Sequence, residues 1–215
     1  MPRTAPRGGP QTRARIAEAA NGLFIERGFD GVTVADVARA AGVSSVTVFN
    51  HFPTKEDLFF DRSDEAVELF RGAIRDRAEG TDALTALREL SFGLFEDREP
   101  FSGVDPRSAP FFRTVAASPA LISRARTFAA DLQRNLVEQL HEDVAFTGDA
   151  TLVAAFFVNG YATVMVGTAR RLLDGEDPDA LLDDHAERLE HLFTALHGAF
   201  PGSGASLEHS SGPAT

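Results

Sequence analysis

The apolar residues of this chain recur at intervals of three and four positions, the spacing that places side chains on one face of an α-helix. Residues 12–27 show the pattern with Ile16, Leu23 and Phe24, and it stops at Gly28, a residue type that commonly ends helices. The strict alternation of apolar and polar residues that marks a half-buried strand hardly occurs in the chain. The pattern therefore predicts an all-α protein.

A capping box marks the start of the second predicted helix. In this motif a threonine side chain accepts a hydrogen bond from the backbone three residues on, and the acid at that position accepts one in return. Thr33 and Asp36 have this spacing and predict a short helix over residues 34–41. Gly42 ends the helix, because glycine adopts the left-handed backbone conformation needed to leave it.

Two further helices are predicted directly after that turn. Ser44 is placed to cap a short helix that runs to about His51. Thr54 and Asp57 then repeat the capping-box spacing, and the apolar pattern beyond them predicts one longer helix over about residues 54–78.

Long helices are predicted for the rest of the chain. Proline at the first helical position loses no hydrogen bond, so an Asp-Pro or Ser-Pro pair marks a helix start, and such pairs begin at positions 105, 118 and 177. With Asp82 as a further cap, the pattern predicts helices near residues 82–96, 106–116, 119–145, 149–173 and 178–199. The end of the chain, 201–215, is small, polar and rich in glycine and proline, and we expect it to be disordered.

Charge is distributed unevenly along the 215 residues. The whole chain has a formal net charge of −11, yet residues 1–60 hold seven basic and six acidic residues, including the sole lysine, Lys55. This asymmetry suits an N-terminal segment that binds a polyanion and is attached to an acidic remainder. A nearly neutral segment does not by itself require a polyanion as partner. The chain has no cysteine, no signal-peptide core and no uninterrupted apolar run long enough to span a membrane, so we expect a cytoplasmic protein.

The two short helices around Gly42 have the arrangement of a helix-turn-helix, whose second helix lies in the major groove of DNA. Val43 is the apolar plug under the turn. Ser45, Thr47 and Asn50 supply short hydrogen-bonding side chains that fit between base edges. The motif therefore indicates DNA binding.

The DNA-binding domain of TetR-family transcriptional regulators resembles residues 12–60, which include IAEAANGLFIERGFDGVTV and TVADVARAAGVSSVTVFNHFPTKEDLF. The helical remainder is similar to the ligand-binding and dimerising domain of the family in plan only. The resemblance implies a basic flexible arm at 1–11, a three-helix DNA-binding domain at 12–60, a larger helical ligand-binding and dimerisation domain at 61–200 and a disordered tail at 201–215.

The resemblance also assigns contacts to double-stranded DNA. The implied contact residues are Thr33, Ser44, Ser45, Thr47, Phe49, Asn50, His51 and Lys55. The serines and Thr47 would lie nearest the bases, whereas Thr33, Asn50, His51 and Lys55 would approach the sugar-phosphate backbone. Phe49 stands where the family usually has tyrosine, so we expect it to contact a sugar or a thymine methyl, or to pack inward.

Each of these assignments has a plain structural alternative. Thr33 and Ser44 cap helices whether or not DNA is present, and His51 is alternatively a packed structural histidine. Ser45, Thr47 and Lys55 are alternatively solvated surface. The arginines of residues 3–15 either follow a groove as a basic arm or belong to a disordered segment.

A dimerisation surface is expected because two-fold dimers bind matched half-sites about one helical turn apart. The last two predicted helices offer an almost wholly apolar segment, 152–167, in which Gly160 and Gly167 permit close helix approach. The last helix adds an apolar stripe, formed by Leu181, Leu182, His185, Leu189, Leu192, Phe193 and Leu196. We expect these helices to pair with their mates in a homodimer; alternatively, they are buried within their own monomer.

Aromatic residues beyond position 60 indicate a site for an apolar or aromatic small-molecule effector, since such pockets are mostly apolar with a few polar anchors. The predicted lining residues are Phe92, Phe95, Phe111, Phe112, Phe128, Leu132, Phe156, Asn159 and Thr163. Phenylalanines at helical spacing are alternatively ordinary core. The predicted helix 54–78 would connect this site to the DNA-binding head.

An enzyme or a purely structural helical protein fits the sequence less well. No nucleophile elbow, phosphate-binding glycine loop or His-Glu-x-x-His motif occurs, and His185, Glu187 and His191 supply too few ligands for a metal site. A structural protein leaves the chemistry of residues 42–59 without a purpose. We therefore predict a ligand-released repressor with no cofactor and no metal, which binds a palindromic operator as a homodimer.

Overall fold

The computed structural model describes residues 9–105 and 108–200, all of which lie in helices or in the segments that join them. The ten described α-helices are α1 Pro10–Arg27, α2 Val34–Ala40, α3 Ser45–His51, α4 Lys55–Phe59, α5 Ser63–Arg75, α6 Ala83–Glu96, α7 Ala109–Ala117, α8 Pro119–Glu142, α9 Ala150–Leu173 and α10 Pro178–Ala199, with a 3-10 turn at Pro100–Ser102. No strand occurs within the described ranges, which confirms the all-α prediction. The predicted tail 201–215 and most of the predicted arm lie outside the described residues.

The predicted long helix over 54–78 is wrong. The chain forms two helices there, α4 and α5, and the backbone of Phe60 leaves the helical conformation between them (φ −96°, ψ 41°). On a continuous helix, adjacent side chains would point about 100° apart. With the break, Phe59 stacks on Phe111 at 4.8 Å and Phe60 meets the same ring edge-on at 5.7 Å.

The start of α7 also differs from its prediction. The Asp-Pro pair was expected to open a helix at about position 106, but α7 begins at Ala109, and Ser108 precedes it without a side-chain capping bond. Pro106 itself lies outside the described residues. The starts of α6, α8, α9 and α10 fall within about one residue of their predicted positions.

The first compact unit comprises α1–α4 together with residues 108–128. Its core is formed by fully buried side chains from every part of the unit, among them Ile16, Val37, Val48, Leu58 and Leu121. Residues 108–128 were predicted to belong with the larger domain, so the observed unit includes more of the chain than residues 12–60. Burial of Leu121 explains why this segment belongs here.

The second compact unit comprises residues 65–105 and 129–200. Its core joins α5, α6, α8, α9 and α10, with Phe70, Leu84, Leu136, Phe157 and Phe193 among its buried side chains. The buried aromatic rings of Phe70, Phe157 and Tyr161 lie within 6 Å of one another. This unit therefore has an aromatic centre.

Helix α9 is the one described helix that is long and apolar enough to cross a membrane by length and composition. Nine of its residues are buried, and seven of them, Val153 and Phe157 included, join the core of the second unit. A helix packed in this way is the core helix of a folded unit. Its apolar composition follows in part from that packing.

Packing of α9 against α10 accounts for both glycines that were expected to face a second copy. A Cβ atom on Gly160 would overlap the side chain of Leu192, and a Cβ on Gly167 would lie 2.6 Å from the Arg188 guanidinium. Both glycines therefore allow α10 to approach α9 within one chain. Their role at an interface with a mate remains a prediction, because Gly160 also borders an open groove beside α10.

The apolar stripe of α10 is likewise core. Leu181, His185, Leu189, Phe193 and Leu196 are each at most 2% exposed within the monomer. These five residues therefore cannot also pair with a mate, and the alternative of burial within the monomer holds for them. Leu182 and Leu192 are half-buried.

Candidate nucleic-acid interface

Helix α2 begins with the predicted capping box. The hydroxyl oxygen of Thr33 accepts a hydrogen bond from the backbone N–H of Asp36 (3.2 Å), and the Asp36 carboxylate accepts one from the N–H of Thr33 (3.1 Å). The hydrogen bonds from the Thr33 side chain and backbone lower the pKa of Asp36. The same carboxylate binds Arg39 at 3.1 Å, and that guanidinium is largely exposed beside α2.

The turn between α2 and α3 is built on Gly42, whose φ of +65° lies in the left-handed region. The N–H of Val43 donates to the carbonyl of Ala38 (2.9 Å), which closes the end of α2. Val43 packs against the core of the first unit, as expected for the plug under the turn. This geometry fixes where α3 starts.

Helix α3 is anchored by a single buried residue, Val48, which is 0% exposed. Ser44 caps the helix by accepting a hydrogen bond from the N–H of Thr47 (3.1 Å), and the two hydroxyls lie 2.9 Å apart. Ser45 and Thr47 are half-buried on the flanks of the helix. They remain predicted DNA contacts, although neither lies at the most exposed part of α3.

The outward face of α3, defined as Val46, Phe49 and Asn50, lies opposite Val48. Val46 is 69% exposed and Phe49 is 49% exposed. The alternative in which Phe49 packs inward is therefore wrong. Sequence reasoning missed Val46, yet the i, i+4 spacing of the buried pair Val48 and Phe52 was a signal that directs Val46 away from the core.

Lys55 is engaged by the protein itself. Its ammonium group donates to the carbonyls of Phe29 (3.0 Å) and Val32 (3.2 Å) and lies 4.0 Å from the centre of the Phe29 ring. The solvated-surface alternative is therefore wrong, because the side chain holds the start of α4 against the link between α1 and α2. An ammonium group has three donors, so one donor is left for the phosphate contact that remains a prediction.

The arginines of α1 are not part of an arm. Arg13 donates to the carbonyl of Asp61 (3.1 Å) and lies over the Phe52 ring at 4.2 Å, while Arg15 donates to the carbonyl of Ala41 (3.0 Å). Since α1 begins at Pro10, the last two residues of the predicted arm, 10–11, are helical. Arg3 and Arg7 lie outside the described residues.

Helix α4 is held by a second capping box and by an arginine from α8. The Thr54 hydroxyl accepts from the N–H of Asp57 (3.2 Å), and Arg124 donates to the Asp57 carboxylate at 2.9 Å. Partial burial raises the pKa of Asp57, but the hydrogen bonds from Thr54 and Arg124 outweigh it, so the pKa is lowered. Arg124 therefore supports the start of α4.

The predicted effector residues are divided between the two units. Phe111, Phe112 and Phe128 belong to the first unit, whereas the other six belong to the second. Within the second unit, Leu132 is core, Phe92 lies under Arg88 and Phe95 stacks on His185 at 5.2 Å. The structure brings Phe156, Asn159 and Thr163 together along an open groove of about 660 Å³, which is also lined by residues of α10, namely Arg188, His191 and Leu192.

His185 is a buried polar residue that sequence reasoning placed on an interface. Its Nδ1 lies 2.8 Å from the hydroxyl of Thr168, and its Nε2 is buried without a hydrogen-bond partner. Burial, reinforced by the nearby Arg188, lowers the pKa of His185 to about 4. Glu187 and His191 are 3.9 Å apart on the exposed side of α10, and no cluster of three potential metal ligands occurs in the described part of the chain.

Comparison with known proteins agrees with this geometry. Residues 16–61 match the family model of the bacterial regulatory proteins of the tetR family. An uncharacterised helix-turn-helix transcriptional regulator of Haemophilus influenzae is 26% identical over 76% of this chain and 78% of its own length. The transcriptional repressor AcnR of Corynebacterium efficiens is 36% identical over 41% of this chain, which spans about half (53%) of that repressor.

A solved structure extends the likeness to the whole fold. FadR of Thermus thermophilus, a TetR-family transcriptional repressor in complex with lauroyl-CoA, superposes with a TM-score of 0.55 over 94% of this chain and 100% of its own. The two sequences are 24% identical. At that identity, the superposition establishes a shared fold.

Proposed function

We propose that this chain, which carries a TetR-family DNA-binding domain at residues 16–61, is a repressor that binds a palindromic operator as a homodimer and leaves it when a small molecule binds the second unit. Transcriptional regulation is the function shared by the relatives of this chain, and the names of those relatives are those of regulators, not of enzymes. The observation that carries the proposal is the outward face of α3.

The construction of α3 suits insertion into a major groove. One buried residue, two short connections and a serine cap hold the helix, so most of its surface is free for a partner. A major groove of about 12 Å admits one α-helix. Lys55 and the exposed Arg39 lie near the ends of the neighbouring helices, where positive charge would meet phosphate.

The homodimer proposal rests on an exposed stripe of α9. The stripe comprises Leu152, Phe156, Asn159, Thr163 and Val166. Its members are spaced by four, three, four and three residues, the 3.5-residue period with which two helices pack along each other. Phe156 is 59% exposed and Leu152 47% exposed in the monomer, which is a large apolar surface to leave in water. A second copy of α9 would cover it.

The effector proposal rests on the second unit and on one structural relative. Thermus thermophilus FadR is described in complex with lauroyl-CoA, a long apolar chain on a polar head. Six of the nine predicted effector residues of this chain lie in the second unit. The dimer would have one arrangement that fits adjacent major grooves and one that does not. A ligand that binds the second arrangement more tightly would lower operator affinity by its differential affinity for the two.

Operator binding is tested by fluorescence anisotropy on DNA from upstream of the gene, over a salt series. We expect sequence-specific binding that weakens steeply as salt rises, because phosphate contacts release counterions. Asn50→Ala, on the outward face of α3, should weaken binding about tenfold, whereas Val144→Ala, at a fully exposed position of the second unit, should not. Absence of any specific binding would refute the proposal.

Dimerisation is tested by analytical ultracentrifugation of Phe156→Glu. A carboxylate in the middle of the α9 stripe would be buried against its own mate, so we expect monomers and loss of tight operator binding. Val144→Glu introduces the same charge outside the stripe and should leave the dimer intact. A dimer that persists in Phe156→Glu would place the interface elsewhere.

Effector release is tested by adding lauroyl-CoA to the operator complex, with coenzyme A as the matched control that lacks the acyl chain. We expect lauroyl-CoA to weaken operator binding and coenzyme A to leave it unchanged. Binding of lauroyl-CoA to the protein without any change in operator affinity would contradict the release mechanism.

A further inference from the structure

The outward face of α3 presents more apolar than polar surface. Val46 and Phe49 lie three residues apart, so their side chains adjoin on the helix. Both are exposed, and neither belongs to the core cluster of the first unit or to the residues packed against it. Asn50 is the polar member of the face.

The fold gives Val46 no evident task. Single exposed apolar residues are common on protein surfaces and carry no meaning by themselves. Val46, however, is a β-branched residue inside a helix, where alanine is the better helix former. It also lies at the centre of the face that a helix-turn-helix domain turns toward the major groove. We therefore look for an apolar group on the DNA that Val46 could contact.

One apolar group projects from the base edges into the major groove, the C5 methyl group of thymine. We propose that Val46 recognises this methyl group in each operator half-site, with the ring of Phe49 packed beside it. This inference rests on the proposed function, because Val46 meets bases only when α3 enters the groove. It makes Val46 a determinant of sequence preference for thymine over cytosine, which has a hydrogen atom at that position.

Replacement of thymine by uracil tests the contact directly, because uracil keeps its base pairing and loses only the methyl group. The probe is the duplex that the wild-type protein selects from a randomised pool, with each thymine replaced in turn and the affinity measured by anisotropy at constant salt. We expect one position in each half-site to lose about fourfold in affinity, as for one methyl group withdrawn from apolar contact. Val46→Ala should bind the thymine and uracil duplexes alike at that position.

Val144→Ala is the matched control, because it removes the same two methyl groups from a fully exposed valine. It should discriminate uracil as the wild type does, and a thermal melt should show that Val46→Ala remains folded. The inference would be overturned if the wild type bound every uracil duplex as tightly as the thymine duplex, or if Val46→Ala still preferred thymine over uracil as the wild type does. Either result would leave the repressor proposal standing. A pool that yields no preferred duplex would overturn both.

Discussion

The two units differ in where they keep their polar side chains. In the first unit, the hydroxyls of Thr33, Ser44 and Thr54 lie at helix starts and accept hydrogen bonds from N–H groups three residues on. Among the described residues, the buried polar side chains of the second unit are Ser91, Ser102, Asp105, Gln139, Thr168 and His185, whereas the first unit buries Ser118. The first unit thus keeps these hydroxyls at exposed helix starts, whereas the second unit buries more polar side chains, including Thr168 and His185, which lie 2.8 Å apart.

The apolar surface of the two units differs in extent as well. In the first unit, helix α3 exposes two adjoining apolar residues, Val46 and Phe49, and Ile25 and Phe111 are exposed elsewhere in the unit. The second exposes a stripe along α9 that begins at Leu152 and ends at Val166. A patch of two side chains matches the edge of a base pair, whereas a stripe four turns long matches another helix. The size of each exposed surface therefore indicates the kind of partner.

Glycine substitution gives the largest expected contrast between the units. Gly42 and Gly103 both have positive φ, but a Cβ on Gly42 meets nothing within 4 Å, whereas one on Gly103 lies 3.0 Å from the backbone carbonyl of Met165 in α9. Gly42→Ala should cost about 1 kcal/mol of unfolding free energy from backbone strain alone. Gly103→Ala should cost about 4 kcal/mol, because the α9 backbone cannot yield to the overlap.

Urea unfolding followed by circular dichroism measures both variants. Tyr161 is the sole tyrosine of a chain without tryptophan, so its fluorescence reports which transition belongs to the second unit. Equal losses of unfolding free energy in the two variants would mean that the turn at Gly103 moves away from α9 freely. The close packing of this turn against α9 would then contribute little to the stability of the second unit.

Titration of His185 should give the next largest effect, confined to the second unit. The unfolded imidazole has a pKa of about 6.5, and burial beside Arg188, offset in part by Asp184, lowers the folded pKa to about 4. Between these values the unfolded chain binds more protons, so the free energy of unfolding falls as pH decreases through this window and does not change through this group above it. The full loss is about 3 kcal/mol.

Tyr161 fluorescence during urea unfolding at several pH values between 7 and 4 measures this loss. His185→Gln removes the titrating group and should flatten the curve in the window, apart from what the carboxylates contribute. His191→Gln changes an exposed histidine of the same helix and should retain the wild-type slope. A wild-type slope in His185→Gln would assign the acid sensitivity to other groups.

The sequence predicted those features that depend on neighbouring residues. Thr33 with Asp36 and Thr54 with Asp57 form capping boxes within a span of four residues, so their helix starts were predictable. The break at Phe60 accompanies ring contacts with Phe111, which lies about fifty residues away in sequence. The carbonyls that bind Lys55 are likewise distant in sequence.

The prediction of the candidate sites was limited because the sequence does not determine which face of each helix is buried. Helix α10 has apolar residues over a wide arc, so periodicity could not distinguish a core stripe, which contains His185, from an interface stripe. In α3 the composition favoured Ser45 and Thr47, whereas burial of Val48 turns Val46 and Asn50 outward. Orientation of a short helix depends on which single residue is buried, and that choice is made by the rest of the core.

The smallest expected effect lies within α3 and compares its two central valines. Val48→Ala removes two methyl groups from a fully buried site and should cost about 2 kcal/mol of unfolding free energy. Val46→Ala removes the same atoms from a largely exposed site and should change stability by less than about 0.5 kcal/mol. Thermal and urea unfolding followed by circular dichroism distinguish the two. A Val46→Ala loss as large as that of Val48→Ala would mean that Val46 supports the fold, and the outward face of α3 would then have no surplus apolar surface to offer to DNA.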